Sequence, residues 1–222
     1  MNDTEEALQH LLAGGEVVEA DRYGPKVVRR ADGSYLKIFR RKRLLTSALW
    51  YPYAQRFVDN AARLAALDIP CPQVLSLQRF PDRQRDVVHY QPLPGLTLRQ
   101  IVRGQRAAMD DEQVRAALGR FVAQLHQLGI LFRSIHLGNI VLGEDLQLGL
   151  IDFADLRVQR RPLGANARAR NFAHLMRYEE DQRWLLVDDG NTFIRAYVST
   201  SQDSFSPAQV SDWLQRQRGA GR

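Results

Sequence analysis

Hydrophobic and polar positions divide the chain into a strand-rich first part and a helix-rich second part. Apolar residues at helical spacing after Thr4 predict a short helix that ends before residue 14. Short runs of β-branched or alternating residues then predict strands over residues 16–21, 26–30 and 35–39. The Asp32-Gly33 pair between the last two runs is typical of a tight hairpin turn, so an antiparallel sheet is expected.

A helix and two further strands complete the first part. Pro52 suits a helix start, and apolar residues on one face predict a helix up to about residue 67. Alternating runs predict strands over residues 73–80 and 86–91. The next segment, Pro92-Leu93-Pro94-Gly95, fits neither element and predicts a hinge.

The second part has mainly helical patterns. Thr97 and Asp110 are predicted helix caps, and the helix after Asp110 is expected to end at Gly129. Two short strands follow, over residues 139–142 and 146–153, and the remaining apolar stripes predict helices over about 166–178, 182–199 and 207–217. The pattern predicts an α+β protein with a β-rich start and a helical remainder.

Composition and charge narrow the class of protein. With 45% hydrophobic and 25% charged residues, the chain has the composition of a folded soluble protein. The formal net charge of +6 favours anionic partners such as nucleotides, phosphorylated sugars or an acidic membrane surface. The single cysteine, Cys71, excludes an internal disulfide. No apolar run approaches the roughly 18 residues of a membrane span and no secretion signal is recognisable, so a cytoplasmic location is expected.

Three polar residues suggest a site for phosphate and metal. Lys37 lies in an apolar strand, where its ammonium is costly unless it meets an anion. Asn139 and Asp152 flank a predicted strand pair, so their oxygens would lie side by side, an arrangement that suits Mg²⁺ because phosphate and water can complete its shell. Each residue alone has an ordinary explanation, since Lys37 can extend to solvent and the other two can form turns.

In order and spacing these segments resemble the protein-kinase-like superfamily, specifically the bacterial lipopolysaccharide core sugar kinases that act on Kdo or heptose. The resemblance runs from about residue 16 to 180. It implies one two-lobed kinase-like domain with a small antiparallel β N-lobe (1–91), a hinge (92–96) and a mainly helical C-lobe (97–222). It also implies ATP and Mg²⁺ as cofactors, with the ligand residues distributed as follows: Lys37 at the phosphates, Tyr90 and Gln91 at the adenine, and Asn139 and Asp152 at both nucleotide and metal.

The catalytic loop departs from the family pattern. The family's catalytic Asp falls on Ser134, which cannot act as a base at neutral pH, and His136 and Asp155 are the candidate replacements. The position of the glutamate that pairs with the family's lysine is held by Asn60, beside Asp59. A general base contributes about 100- to 10,000-fold to a rate. Its loss therefore predicts a slow enzyme, a relocated base, or a nucleotide-binding protein without turnover.

The sequence thus predicts an ATP-dependent kinase that phosphorylates a sugar hydroxyl of a glycolipid or small molecule. A pseudokinase that binds nucleotide and regulates a partner is the first alternative, and a non-catalytic basic RNA-associated module is the second, although nucleic acid is not the expected partner. The basic run 40–43 precedes apolar and aromatic residues. It is either a solvated surface or a peripheral contact with the inner membrane or a phosphorylated glycolipid, and the same mixture would also suit nucleic acid with stacked bases.

Overall fold

The computed structural model describes residues 3–40, 51–81, 84–105, 110–202 and 205–216. The helices there are α1 (Asp3–Leu12), α2 (Tyr53–Ala66), α3 (Leu98–Val102), α4 (Asp111–Gln127), α5 (Ala165–Leu175), α6 (Glu179–Leu185), α7 (Asn191–Thr200) and α8 (Pro207–Gln215). The strands are β1 (Glu16–Asp21), β2 (Gly24–Arg29), β3 (Tyr35–Arg40), β4 (Gln73–Phe80), β5 (Arg85–Gln91), β6 (Leu96–Thr97), β7 (Ile130–Leu131), β8 (Ile140–Leu142), β9 (Leu148–Leu150) and β10 (Arg157–Val158).

The contacts within the chain define two units, Met1–Leu93 and Pro94–Arg222. The first contains the large sheet and two helices, and the second contains six helices and short strands within its described residues. The expected α+β class, with a small antiparallel sheet followed by a mainly helical part, is confirmed. That the units are the two lobes of one kinase domain stays a prediction.

The first unit is built on a five-stranded antiparallel sheet in the order β1-β2-β3-β5-β4. Central strand β3 places Lys37 opposite Val27 of β2 and Val88 of β5. Because side chains alternate along a strand, Leu36 points to the other face. There it forms a core with Val28, Phe80 and Val87, which α1 covers with leucine side chains.

The Lys37 face of this sheet packs against α2. Phe57 of α2 is buried, and its ring centroid lies 5.9 Å from that of Phe39 and 5.8 Å from that of Tyr90. Tyr90 also stacks on Tyr35 of β3, with centroids 5.8 Å apart. Aromatic packing therefore fixes the surroundings of Lys37 on this face.

The second unit is organised around α4, which packs mainly against α7. The two helices approach closely at Gly119, where an added Cβ would lie 2.4 Å from the carbonyl oxygen of Phe193. Phe172 of α5 stacks on Trp213 of α8 with centroids 5.9 Å apart, which joins those helices to the same core. Among the described residues no helix combines the length and the apolar character that crossing a bilayer demands.

The single helix predicted over residues 182–199 is wrong, because the chain breaks between α6 and α7. Asp189 and Gly190 adopt left-handed backbone conformations, with φ of 57° and 78°. The Asp188 carboxylate then accepts hydrogen bonds from the backbone N–H of Thr192 at 2.8 Å and from its hydroxyl at 2.6 Å. The apolar spacing continues across this break, so periodicity alone could not reveal it.

The strand predicted over residues 146–153 is also too long. A 3₁₀ turn occupies Glu144–Leu146, and β9 covers only Leu148–Leu150. The left-handed conformation of Asp152, with φ of 54°, stops the extended chain shortly afterwards. The predicted metal-binding aspartate therefore lies in an irregular segment rather than at the end of a strand.

Candidate active site

Asn139 and Asp152 lie at the same end of the β8–β9 hairpin. Ile140 pairs with Leu150, and the backbone N–H of Ile151 donates to the Asn139 carbonyl at 3.0 Å. The Asn139 side chain is buried, and its Nδ2 donates to the Ser134 carbonyl at 2.9 Å. This bond fixes the amide plane, so Oδ1 is the end that remains as an acceptor.

Asp152 has an unfavourable backbone conformation. Its φ of 54° lies in the left-handed region, which costs a residue with a Cβ about 1–2 kcal/mol. Phe153, the next residue, is fully buried, whereas the Asp152 side chain is exposed. The buried Phe153 anchors the chain directly after Asp152, and strained backbone conformations cluster at functional sites.

Ser134, which the resemblance predicts at the position of the family's catalytic aspartate, is hydrogen-bonded to a nearby carboxylate. Its hydroxyl donates to Asp155 Oδ2 at 2.7 Å. The other oxygen of Asp155, Oδ1, is buried and has no hydrogen-bond partner among the described residues. An unsatisfied buried carboxylate oxygen costs about 1–3 kcal/mol or more. The structure thus brings together two of the three residues expected to take part in proton transfer.

The third of these residues, His136, is arranged as a hydrogen-bond donor. Its Nδ1 accepts a hydrogen bond from the Gly138 backbone N–H at 3.1 Å. Burial, followed by the nearby positive charge of Arg99, lowers the pKa of His136. The ring is therefore neutral at neutral pH and carries its proton on Nε2. With Nδ1 occupied, His136 is better suited to donate a hydrogen bond than to accept the proton of a hydroxyl.

A buried ion pair that sequence reasoning missed anchors this loop. The Asp181 carboxylate of α6 is almost fully buried and accepts two hydrogen bonds from the Arg99 guanidinium, at 2.7 and 3.1 Å. Asp181 Oδ2 also accepts from the Leu137 backbone N–H at 3.0 Å. The Arg99 guanidinium lies 4.3 Å from the ring centroid of Tyr178, whose ring meets His136 edge-on.

A second buried network holds the start of the loop. His126 of α4 is fully buried, and its Nε2 donates to Asn171 Oδ1 of α5 at 2.9 Å. Asn171 Nδ2 in turn donates to the Phe132 carbonyl at 2.6 Å. On the other side of the ring, the Tyr197 hydroxyl of α7 donates to His126 Nδ1 at 2.9 Å. Three helices thereby position the chain just before Ser134.

This network predicts a measurable acid sensitivity. Burial lowers the pKa of His126 from 6.5 to about 3. The folded protein thus keeps His126 neutral, while the unfolded chain takes up a proton below pH 6.5. The stability linked to His126 is complete above pH 6.5 and is lost progressively as the pH falls towards 3, at about 1.4 kcal/mol per pH unit.

Urea unfolding of wild type and His126→Gln at pH 7 and pH 5 tests this expectation. The glutamine can keep both hydrogen bonds but does not titrate. Between these pH values, wild type should lose about 2 kcal/mol more than the variant. His136 and His174 are present in both proteins, so their contributions cancel. Equal losses in the two proteins would contradict the assignment of a neutral buried His126.

The predicted nucleotide-binding residues of the first unit lie on one face of the sheet and at its end. Lys37 is half-buried, and its Nζ lies 5.9 Å from the ring centroids of both Phe39 and Phe57. Tyr90 packs against the same Phe57 ring. Gln91 is exposed at the end of β5. Lys37 and Tyr90 are thus brought together around one aromatic side chain.

Asn60 was expected at the position of the glutamate that pairs with the family's lysine, with Asp59 beside it. Both side chains form hydrogen bonds with residues other than Lys37. The Asp59 carboxylate accepts from the Tyr51 hydroxyl at 2.6 Å and from Gln55 Nε2 at 2.9 Å. Although burial opposes it, these two hydrogen bonds lower the pKa of Asp59. Asn60 is buried, and its Oδ1 accepts from Arg63 at 3.2 Å.

The predicted basic run is described only in part. Arg41, Lys42 and Arg43 lie outside the described residues. The Arg40 guanidinium forms an ion pair with Asp21 and lies 4.1 Å from the ring centroid of Tyr23. This carboxylate compensates the charge of Arg40.

Asn139 and Asp152, the two residues expected to hold a metal, have side-chain oxygens that would fit a magnesium ion bound jointly with phosphate. The described residues contain no group of three or more His, Cys, Asp or Glu side chains able to hold a metal by themselves. Mg²⁺ is commonly held by one or two protein oxygens while phosphate oxygens and water complete its octahedron. Asn139 Oδ1 and the exposed Asp152 carboxylate supply such a pair.

An anchored loop beside an Asn/Asp hairpin is an arrangement typical of kinase-like phosphotransferases. Residues 97–197 match the model of the lipopolysaccharide kinase (Kdo/WaaP) family. The matched segment contains both the loop and the hairpin, from Ser134 to Asp155. The resemblance to the lipopolysaccharide core sugar kinases is therefore confirmed over this segment.

Individual relatives are distant. The serine/threonine-protein kinase ppk8 of Schizosaccharomyces pombe is 28% identical over 130 residues, which are 57% of this chain and 21% of that protein. A medium-resolution structure of the bifunctional kinase-methyltransferase WbdD has a TM-score of 0.48 at 14% identity and covers 88% of this chain and 41% of that one. A 2.2 Å structure of WbdD gives the same TM-score at 13% identity. The chain thus spans about a fifth of the kinase ppk8 and two fifths of WbdD.

Proposed function

We propose that this protein is an ATP-dependent kinase that transfers the γ-phosphate to a sugar hydroxyl of a glycolipid or small molecule. The observation that carries the proposal is the 2.7 Å hydrogen bond between Ser134 and Asp155, inside the segment that matches the lipopolysaccharide kinase family. This hydrogen bond places the Asp155 carboxylate beside Ser134, the position at which the resemblance predicts an aspartate. This carboxylate favours a working enzyme over the pseudokinase alternative.

The nucleotide-binding roles follow from the resemblance and from the chemistry of the residues present. Lys37 would bind the α- and β-phosphates through its ammonium, and Tyr90 and Gln91 would lie at the adenine. Asn139 and Asp152 would hold Mg²⁺ through one oxygen each. When bound, the ion neutralises charge on the phosphates. The strained backbone of Asp152 fits a residue kept for ligand binding.

Ser134 and Asp155 would together remove the proton of the attacking hydroxyl. Asp155 Oδ1 is buried, and Oδ2 accepts the Ser134 hydroxyl. The acceptor hydroxyl would donate to Ser134 Oγ while the Ser134 proton moves to Asp155. The serine then relays a proton and is not itself the base, which agrees with its weak basicity.

The neighbouring groups would position the acceptor and limit loop motion. His136 would donate from Nε2 to an oxygen of the acceptor or the transferred phosphate. The backbone around Ser134 is held at three points, by Asn171 at Phe132, by Asn139 at Ser134 and by Asp181 at Leu137. Such preorganisation supplies much of the acceleration in phosphoryl transfer.

The remaining expectations concern location. A cytoplasmic protein that acts on a glycolipid must reach the membrane surface. The run 40–43 would provide peripheral contact with the inner membrane through basic charge, to which Arg40 would add little because Asp21 compensates it. A free sugar acceptor would make this contact unnecessary.

ATP turnover with a lipopolysaccharide core oligosaccharide preparation tests the proposal. ADP release that depends on the oligosaccharide, with a phosphorylated product in mass spectra, is the expected result. ATP that raises the melting temperature only in the presence of Mg²⁺, without ADP release, would instead indicate the pseudokinase. Stabilisation by RNA and none by Mg²⁺ and ATP would indicate the RNA-associated module.

A further inference from the structure

The charges of the second unit are distributed unevenly along its sequence. Residues 156–177, which we call the basic segment, include six arginines and no acidic residue. The whole unit, Pro94–Arg222, contains 17 arginines and 14 acidic residues, so 11 arginines and all 14 acidic residues lie outside the segment. The basic segment is therefore strongly positive within a unit that is otherwise slightly negative.

Most of this charge lies at the surface. Arg168 is buried and donates to the Tyr197 hydroxyl at 2.8 Å, so it belongs to the core. On α5, Arg170 is exposed whereas Phe172 and Leu175 are buried, so this helix turns basic charge towards solvent. The segment has five exposed arginines, Arg157, Arg160, Arg161, Arg170 and Arg177.

The acidic residues that flank the segment interact with groups outside it. Asp155, which lies before the segment, accepts the hydroxyl of Ser134. Three acidic residues follow the segment and form ion pairs with arginines elsewhere in the unit, as Glu179–Arg183, Glu180–Arg103 and Asp181–Arg99. These carboxylates mainly compensate other arginines, so the segment forms a positive part of the surface.

Both ends of the segment lie beside the loop that contains Ser134. At the start, Arg157 of β10 pairs with Leu131 of β7, directly before the loop. At the end, the Arg177 guanidinium lies 3.5 Å from the carbonyl oxygen of Arg133. An anionic surface in contact with the segment would therefore hold its own components close to the loop.

The side chains of the segment suit an anionic bilayer better than a nucleic acid. Basic clusters of 4–8 residues attract anionic lipid surfaces, and the effect of each charge adds to that of the others. Surfaces that bind single-stranded nucleic acid also need exposed aromatic rings on which the bases stack. The aromatic residue of the segment, Phe172, is buried, and the ring of the next residue, Tyr178, already contacts Arg99 and His136.

We infer that the basic segment is a contact surface for membranes that contain anionic lipids. The inference goes beyond the proposed function and rests on it only for the glycolipid acceptor that such a membrane would present to the loop. It assigns membrane contact to the second unit, in addition to the run 40–43 of the first. Because the contact is electrostatic, it should weaken steeply as the salt concentration rises.

Sedimentation with lipid vesicles tests this surface without any need for turnover. At low salt, the protein should bind vesicles of phosphatidylcholine mixed with phosphatidylglycerol and should not bind vesicles of phosphatidylcholine alone. Arg160→Gln/Arg161→Gln should weaken the binding about 25-fold, since each arginine near an anionic surface contributes about fivefold. Arg160→Lys/Arg161→Lys keeps both charges and should bind as wild type does.

Arg120→Gln/Arg195→Gln is the matched control. Both arginines are exposed, on α4 and α7, and the double substitution lowers the net charge by the same amount. Equal weakening in the control and in Arg160→Gln/Arg161→Gln would overturn the inference, because net charge alone would then explain the binding. Loss of binding only in Arg41→Gln/Arg43→Gln would assign the contact to the run 40–43 and overturn it too. Binding of poly(U) RNA without any binding of vesicles would favour nucleic acid and overturn it as well.

Kinetics with two forms of the acceptor separates this inference from the kinase function. Arg160→Gln/Arg161→Gln should raise KM for lipopolysaccharide embedded in anionic vesicles at least about tenfold and leave KM for the free core oligosaccharide unchanged. Vesicle binding as expected, without turnover of either acceptor, would overturn the kinase function and support the contact surface. Turnover together with equal vesicle binding of wild type and variant would overturn the contact surface and support the kinase function.

Discussion

Asp155→Asn is expected to lower the turnover number of acceptor phosphorylation by about 100- to 10,000-fold, the range of a lost general base. The substitution keeps the size and shape of the side chain. It replaces the carboxylate whose Oδ2 accepts the hydrogen bond of the Ser134 hydroxyl at 2.7 Å with an amide that cannot take up the proton. KM for ATP should change little, because Asp155 has no assigned contact with nucleotide. Steady-state ADP release with saturating ATP and acceptor measures the effect.

Glu144→Gln is the matched control for this substitution. Glu144 is exposed in the turn between β8 and β9, so its loss of charge should leave turnover unchanged. Ser134→Ala should also lower turnover, since it removes the relay and leaves Asp155 unreachable. A turnover number for Asp155→Asn within twofold of wild type would remove Asp155 from the reaction.

Asp152→Gly is expected to lower turnover by about 1,000-fold and to make the protein more stable. The carboxylate is a proposed ligand of the metal, so its removal should also abolish the Mg²⁺-dependent stabilisation by ATP. Glycine adopts a φ of 54° without strain, so the free energy of unfolding should rise by up to about 1 kcal/mol. A gain in stability with loss of activity distinguishes this substitution from simple misfolding.

Asp68→Gly provides the matched control for the backbone effect. Asp68 is exposed after α2 and has a φ of 55°, nearly the same as that of Asp152. Its replacement should give a similar gain in stability with no change in turnover. If Asp152→Gly retains wild-type activity, the metal assignment is wrong. If only Asp68→Gly gains stability, the backbone of Asp152 is not strained.

Local features of the sequence predicted the elements that carry the candidate site. The strand around Lys37 and the hairpin that joins Asn139 to Asp152 depend on patterns within about fifteen residues. The Thr97 cap is equally local, and the structure shows its hydroxyl accepting from the Gln100 backbone N–H at 3.2 Å. Alternation, turn residues and caps act over such short distances, so one sequence suffices to predict them.

Contacts between distant segments could not be predicted in this way. The Asp181 carboxylate meets the Leu137 backbone 44 residues earlier in the chain. His174 and Arg177 reach the neighbourhood of Arg133 only because α5 packs against the loop. Neither periodicity nor a motif indicates which faces of two helices pack together. The contacts of α5 and α6 with the loop could therefore be seen only in the structure. Asp155 is an intermediate case. The sequence predicts it as a candidate base but gives no sign of its hydrogen bond with Ser134.

The buried anchors explain how a loop with an altered residue could remain functional. Asn171 and Asp181 hold its backbone from α5 and α6, whereas Asn139 holds it from the hairpin. These three bonds would keep a hydroxyl at position 134 in the direction of Asp155. Under the proposed function, serine at position 134 would pass the proton of the acceptor to Asp155 through one further hydrogen bond, so a carboxylate would still serve as the base.

The turnover number of the double variant Ser134→Asp/Asp155→Asn tests this account most directly. It returns a carboxylate to the family position and removes the one at 155, so the relay is replaced by direct proton transfer. Turnover should recover at least about tenfold over Asp155→Asn alone, because the two sites are coupled. A double variant no faster than Asp155→Asn, although equally stable, would contradict the claim that the two positions share one catalytic carboxylate.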